Sequence, residues 1–400
     1  MLKLSNRAQN LKPSATLAMA AKAKELKAKG VRVIDFTVGE PDFDTPTHIK
    51  DAAKAALDAG FTKYTQTGGI PELKDAIRQK LKRDQGTDFS AEEIIVTFGV
   101  KHAIANALLT LINEGDEVII PAPYWVSYPE QVKLAGGVPH IITTTLEENF
   151  LLSAEKLKKA ISPNTKALIL NSPSNPTGSA YSAEHLKKLL RIAADHDLAI
   201  LSDEIYEKIM YDGQPFASAM TVLPEIREQL ITFNGVSKAY AMTGWRVGYA
   251  VGPKHIIAKM QALQDQQTSS TVSFVQKACV TALTSERSES AVKTMVVEFE
   301  KRRNRMFELI QDIPAVTCRR PPGAFFLFPF VGAYFGKKSL TGIIDNATAL
   351  AEYLLAHAHV ATVSGDPFGA PGYIRLSYAT SMDNIEEGIK NIKHALQELK

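Results

Sequence analysis

Cysteine is nearly absent from this chain: its 400 residues include two, Cys279 and Cys318, far apart and in no CxxC spacing. A disulfide framework is therefore not what holds the fold together, and a reducing cytoplasm is the expected compartment. Long hydrophobic runs are lacking too, and none approaches the ~18 residues of a membrane span. The first residues mix Lys3, Ser5, Asn6 and Arg7 with single leucines and lack the apolar block of a secretory leader. Neither sign of charge prevails, since 46 basic residues meet 43 acidic ones for a net charge of +3. That balance argues against nucleic acid or an anionic membrane as the main partner. There is no internal repeat and no low-complexity tract. The nine histidines are scattered, and His357 with His359 lacks a third nearby ligand, so no metal centre is expected. Nor does any G-x-G-x-x-G follow a predicted strand; Gly244, Gly248 and Gly252 are spaced by four, which disfavours a nicotinamide dehydrogenase.

What is present is enough apolar residue, 45% of the chain, for a large core and roughly two or three domains by length. From about residue 47 to 285 strands alternate with helices. Ile94 to Phe98 reads as a buried strand and Lys101 to Ile112 as the helix after it. Glu117–Ile120, Lys166–Leu170, Leu198–Leu201 and Ile231–Phe233 are further short apolar runs. Ser182 to His196 has Leu186, Leu189, Leu190 and Ala193 on one helical face, with Ser182 as N-cap. Such alternation predicts a mostly parallel sheet covered on both sides, an α/β fold. Beyond residue 285 the pattern changes: a long charged helix to Gln311, a strand over Ala324–Phe330, a helix over about Asp345–His357, a strand over Tyr373–Tyr378 and an amphipathic terminal helix from Asp383. These predict a second, smaller α+β domain; periodicity does not place residues 1–46.

In open α/β sheets ligands bind beyond the carboxyl ends of the strands, so the residues after each strand matter most. Gly99, Val100 and Lys101 open a helix, a place suited to an anion. Asn171-Ser172-Pro173-Ser174-Asn175-Pro176-Thr177-Gly178 follows a second strand, Ser202-Asp203-Glu204-Ile205-Tyr206 a third and Asn234-Gly235-Val236-Ser237-Lys238 a fourth. One polar strand end is commonplace. An anion site, an amide, a carboxylate with a phenol, and a lysine on four strand ends make a site.

The run from Gly235 to Gly248 resembles the cofactor-lysine signature of class I aminotransferases. Gly39-Glu40-Pro41-Asp42-Phe43, the Ser172–Gly178 run, the Ser202–Tyr206 run and Arg375-Leu376-Ser377-Tyr378-Ala379 are similar to that family in the same order. Within it the chain most resembles the bacterial aspartate aminotransferases, some of which also use prephenate. The resemblance implies the type I fold of pyridoxal-phosphate enzymes, with a large domain at 47–285 built on a seven-stranded sheet. Residues 1–46 and 286–400 would form the small domain with an N-terminal arm. It implies pyridoxal 5′-phosphate as cofactor and a homodimer with shared active sites.

The same resemblance gives each site residue a role. A loop lysine is ordinarily solvated surface, but Lys238 would hold the cofactor covalently and then move a proton, for which its amine must be partly neutral. Arg246 would take the phosphate as a bidentate partner, with Ser237, Gly99, Val100 and Lys101 around it and Tyr64 reaching it from a neighbouring subunit. Asp203, otherwise a structural ion pair, would keep the pyridine nitrogen protonated. Tyr206 and Asn175 would donate to the ring's phenolic oxygen, and Trp125, elsewhere a core aromatic, would stack on its face. Arg375 would grip the substrate α-carboxylate, with Gly39 allowing close backbone approach. Lys101 would bind a second substrate carboxylate and Lys12 the extra carboxylate of prephenate. Val100 stands where close relatives often have glycine, and Gly235 where other branches have serine. The expected activity is amino transfer between aspartate or glutamate and 2-oxoglutarate or oxaloacetate, with prephenate admitted as a further acceptor. The rival is another pyridoxal-phosphate reaction on the same scaffold, an aromatic aminotransferase or a C–S β-lyase.

Overall fold

Alternate residues of the central strands serve two separate cores, which is why these strands read as nearly unbroken apolar runs. The computed structural model describes residues 2–9, 11, 13, 15–339 and 342–400, with 6, 7 and 15–17 by backbone alone. Seven strands form one sheet in the order Ile94–Thr97, Gly248–Val251, Leu230–Gly235, Ala199–Asp203, Thr165–Asn171, Glu117–Ala122, Val138–Thr143. All neighbours are parallel except Gly248–Val251, which runs antiparallel to both strands beside it. Ile95, Ile120, Ile169, Leu201 and Phe233 face one core, filled from the other side by Ala103, Ile104 and Ala107 of the helix Val100–Leu111. Ile94, Ile119, Leu168, Ile200 and Leu230 face the opposite core, where Leu186, Leu189 and Leu190 of the helix Ala183–Asp195 pack. A sheet buried on both faces needs no polar alternation.

The expected fold class is therefore the observed one, with differences in detail. Ser182 does cap its helix, its hydroxyl accepting from His185 N–H at 3.2 Å. The strand Val138–Thr143 was not anticipated, because Pro139 reads as a breaker; on the outer edge of the sheet a proline is tolerated. The strand expected over Ala324–Phe330 shortens to Phe326–Leu327; past Pro329, which has no N–H to give, pairing continues only as isolated bridges from Phe330 to Tyr373 and Thr317. The helix expected to His357 is α-helical only over Ala347–Tyr353 and finishes as a π-turn over Leu354–Ala358, stopped by His359 at φ 53°.

Outside the large sheet, Phe326–Leu327, Ile374–Ser377 and Val363–Ser364 form a three-stranded antiparallel sheet. Ile34–Asp35 pairs in parallel with Val360–Ala361, so the N-terminal segment is tied to the C-terminal part of the chain. The helices Glu286–Gln311 and Met382–Gln397 pack against each other there. Ser377 N–H donates to Phe36 O at 2.9 Å. This bond sets the segment after Ile34–Asp35 beside the strand that carries Arg375.

Gly388 of the terminal helix keeps that junction close. A Cβ there would meet Phe36 Cζ at 2.5 Å and Ile34 Cγ2 at 3.0 Å, and Phe36 is fully buried. Alanine normally gains about 1 kcal/mol over glycine inside a helix, whereas overpacking a filled core costs about 1–3 kcal/mol. We expect Gly388→Ala to lower the urea midpoint of the ligand-free protein; a raised midpoint would show that Phe36 has room to yield.

Candidate active site

The strands Thr165–Asn171, Ala199–Asp203 and Leu230–Gly235 are neighbours, so the groups at their carboxyl ends converge. They open into a cleft of about 490 Å³ lined by Gly39, Val100, Lys101, Trp125, Asn175, Asp203, Tyr206, Ser237, Lys238, Arg246 and Arg375. Eleven of the expected residues thus meet in one place. Gly99 lies immediately behind it as the N-cap of the helix Val100–Leu111. Tyr64 is not brought in: its side chain is 95% exposed. Lys12 falls outside the described residues.

Asp203 is 3% exposed. Its Oδ2 accepts from the Tyr128 hydroxyl at 2.6 Å and its Oδ1 from Ile205 N–H at 3.2 Å. Burial pushes its pKa up to about 6, against the pull of these two donors and of the Lys238 charge. Tyr128 was missed in the sequence. Its signal was the spacing: it stands three residues after Trp125, one turn on, and their rings meet edge to face at 5.3 Å. Burial, reinforced by the Asp203 charge, raises the Tyr128 phenol far above its ordinary value, so it remains a donor.

Asn171 was missed as well. Its Nδ2 donates to Asp203 O at 3.0 Å and its Oδ1 accepts from Asn175 N–H at 2.9 Å. It therefore fixes the Asn175 loop against the end of the next strand. The peptides Ser172-Pro173 and Asn175-Pro176 are both cis, as is Ala122-Pro123.

Arg375 is 2% exposed. It donates to Asn175 Oδ1 at 2.9 Å and to Thr37 O at 2.6 Å, and lies over the rings of Phe326 and Phe368. Burial lowers its pKa to about 10, which leaves it a cation at neutral pH. Because guanidinium only donates, Asn175 must present its oxygen to Arg375, and its NH₂ remains available as a donor. Among the described residues the buried Arg375 Nε has no partner.

Lys238 Nζ donates to Gly39 O. Burial lowers its pKa to about 8; Glu40 opposes this, while Arg375 and Arg246 reinforce it. Burial also lowers the pKa of Lys101, helped by the charge of Arg246; its ammonium lies 4.9 Å from the centre of the Trp125 ring. Arg246, itself at φ 57°, donates to Thr243 O at 2.9 Å and Phe98 O at 3.2 Å. A Cβ on Gly99 would sit 2.8 Å from its guanidinium, and one on Gly248 would sit 2.5 Å from Val100 N. These glycines let the arginine and the helix N-terminus share one spot. Gly235 is required by packing too, since a Cβ there would be 2.9 Å from Gly248 Cα.

This donor set fits pyridoxal 5′-phosphate. The cation and helix end suit a phosphate, the buried carboxylate suits a protonated ring nitrogen, the lysine of lowered proton affinity suits an aldehyde, and the unpartnered Arg375 Nε suits a carboxylate. Comparison with known proteins agrees. A family profile described as "Aminotransferase class I and II" matches residues 31–392. The aspartate aminotransferase of Geobacillus stearothermophilus is 48% identical over 99% of both chains. The aspartate/prephenate aminotransferase of Nitrosomonas europaea is 45% identical, covering 99% of this chain and all of its own. The solved aspartate aminotransferase of Thermus thermophilus with maleate superposes with a TM-score of 0.93 at 43% identity, over 99% of this chain and all of that one.

The lowered proton affinity of Lys238 has a measurable sign. Its neutral, nucleophilic fraction rises about tenfold per pH unit as pH climbs toward 8 and levels off above it, whereas surface lysines continue rising toward about 10.4. Labelling the ligand-free protein with trinitrobenzenesulfonate and mapping the peptides should give Lys238 a midpoint near 8. A midpoint at the surface-lysine value would contradict the site's electrostatics.

Proposed function

We propose that this chain, which belongs to the class I and II aminotransferases and is a pyridoxal-phosphate-dependent enzyme, moves an amino group between L-aspartate or L-glutamate and a 2-oxo acid. The two half-reactions run in turn, the first product leaving before the 2-oxo acid enters. The observation that carries the reading is one cleft that joins Lys238 and Asp203 to two substrate cations, Arg375 and Lys101.

When bound, the cofactor supplies an electron-withdrawing ring that stabilises negative charge on the substrate α-carbon. The chain supplies the rest. Arg246, with Ser237 and the first turn of the helix Val100–Leu111, holds the phosphate. Asp203, fixed by Tyr128, holds the proton on the ring nitrogen. Tyr206 and the free NH₂ of Asn175 donate to the phenolic oxygen; burial raises the Tyr206 phenol well above its ordinary value, which keeps it protonated. Trp125 covers one face of the ring. Arg375 exchanges the carbonyl of Thr37 for the α-carboxylate, and Gly39 lets the backbone approach that group. Lys238, released from Gly39 O, would take up and hold the proton that leaves the α-carbon.

The preference for dicarboxylic donors is supported by Lys101, by the names of the relatives and by the maleate, a dicarboxylate, in the Thermus enzyme. Use of prephenate as a further acceptor is supported by the name of the Nitrosomonas relative and by Lys12. A homodimer is supported by Tyr64, whose exposed ring is free to reach the phosphate of a second copy. The division into a large domain at 47–285 and a small one from 1–46 and 286–400 is supported by the pairing of Ile34–Asp35 with Val360–Ala361. A cytoplasmic location is supported by the two unpaired cysteines.

Lys101 separates this reading from neutral-substrate relatives. Lys101→Ala should raise KM for aspartate by about tenfold or more, the loss of one charge-assisted contact of about 1.5–3 kcal/mol, while KM for alanine and phenylalanine changes little. Equal weakening of every donor, or a wild-type preference for neutral donors, would overturn the dicarboxylate assignment.

A further inference from the structure

Asp203 and Tyr206 flank a turn that belongs to neither the sheet nor a helix. Its backbone is held by Glu204 N–H to Phe233 O (2.9 Å), Glu207 N–H to Glu204 O (3.0 Å) and Ile209 N–H to Tyr206 O (2.8 Å). Its side chains divide into two sets. Asp203 and Tyr206 line the cleft, whereas Glu204, Glu207 and Lys208 are engaged elsewhere. Glu204 accepts from Ser218 Oγ (2.8 Å), Ala219 N–H (2.9 Å) and Ser202 Oγ (3.0 Å). Lys208 pairs with Asp84 at 2.8 Å. Glu207, 8% exposed, is bonded by the ammonium of Lys80 and by Gln85 Nε2 at 3.0 Å.

Lys80 is the unusual member. It projects from the helix Pro71–Gln85 and is 2% exposed, with Asp84 as a second carboxylate at 3.6 Å. Burial lowers its proton affinity, but the Glu207 carboxylate beside it more than offsets this and holds it charged. No step of the reaction uses this lysine. An apolar pair of the same volume commonly serves stability as well as a buried ion pair does, so what the pair adds is directional. Site groups need support that locks them to within about 0.5 Å, and Glu207 is the residue directly after Tyr206.

We propose that the buried Lys80–Glu207 pair is a positioning device for the reaction: it grips the turn from the side away from the cleft and so sets the Tyr206 hydroxyl and the Asp203 carboxylate against the cofactor. This rests on the reading of Tyr206 as donor to the phenolic oxygen. A positioning role makes the pair visible in the cofactor's spectrum, which a contact that only holds the fold together would leave alone.

The test is the pH midpoint of the visible absorbance of the protein loaded with pyridoxal phosphate, measured beside kcat and KM for aspartate and the urea midpoint. Tyr206→Phe is the reference. Lys80→Met with Glu207→Met removes both charges together, leaving neither buried alone. Lys80→Arg keeps the charge on a head of different shape and serves if the double variant does not fold. We expect each to move the absorbance midpoint in the direction of Tyr206→Phe. We also expect kcat to fall about 10- to 100-fold, as for a displacement on the order of 1 Å, with a much smaller change in KM. A folded variant with the parental absorbance midpoint and kcat, whatever its urea midpoint, overturns the proposal and leaves the reading of Tyr206 standing. If Tyr206→Phe itself leaves the absorbance midpoint in place, the reading of Tyr206 falls and the proposal with it.

Discussion

A carboxylate enclosed at the end of a central strand is the constraint around which the site is arranged. Asp203 terminates a run of Ala, Ile, Leu and Ser in a sheet covered on both faces, and its neighbours supply one phenol and one amide. A buried charge with so few donors is costly unless a cation completes it. Lys238 provides part of that charge in the protein alone, and a protonated ring nitrogen would provide it when the cofactor is bound. The same burial acts on Lys238 in the opposite sense, lowering its proton affinity while raising that of Asp203. One desolvated space thus prepares an acid and an amine for different tasks.

Backbone crowding is the second requirement. The strand Gly248–Val251 reverses direction within an otherwise parallel sheet, and its first residue lies against Gly99 and Val100. Glycine at 99, 235 and 248 lets these backbones touch, and so Arg246 reaches the end of the helix Val100–Leu111. A serine at position 235 would not fit against Gly248 here without a shift.

Much of this was legible in the chain because parallel sheets place chemistry at strand ends. The runs ending at Asn171, Asp203 and Asn234-Gly235 are continuous apolar segments, and each gives way to a polar group that a solvated loop would not need. Lys238, Asp203 and Asn175 could be picked out in this way; Arg246 and Arg375, which end no central strand, entered only with the family resemblance, which also added the roles. Tyr128 and Asn171 were not legible, because their importance lies in contacts made between elements. Tyr128 is a helical residue like any other until the helix Ser127–Leu134 lays it on Asp203. Lys80 was invisible for the same reason, since a lysine in a charged helix reads as solvated until Glu207 is found beside it. The edge strand Val138–Thr143 was lost to Pro139, and the short Phe326–Leu327 pairing was overestimated because its aromatic run continues where only isolated bridges form.

We infer that the charge of Asp203, and not its bulk, makes the cleft an amino-transfer site. Asp203→Asn keeps the size and can still accept from Tyr128, but it removes the charge that holds the ring proton. With folding and cofactor retained, kcat for aspartate with 2-oxoglutarate should fall by on the order of 10³ or more, as when other preorganised electrostatic partners are removed. A folded, cofactor-loaded Asp203→Asn protein that loses less than about tenfold in kcat, one pKa unit's worth of energy, would contradict the account and leave Asp203 a structural residue.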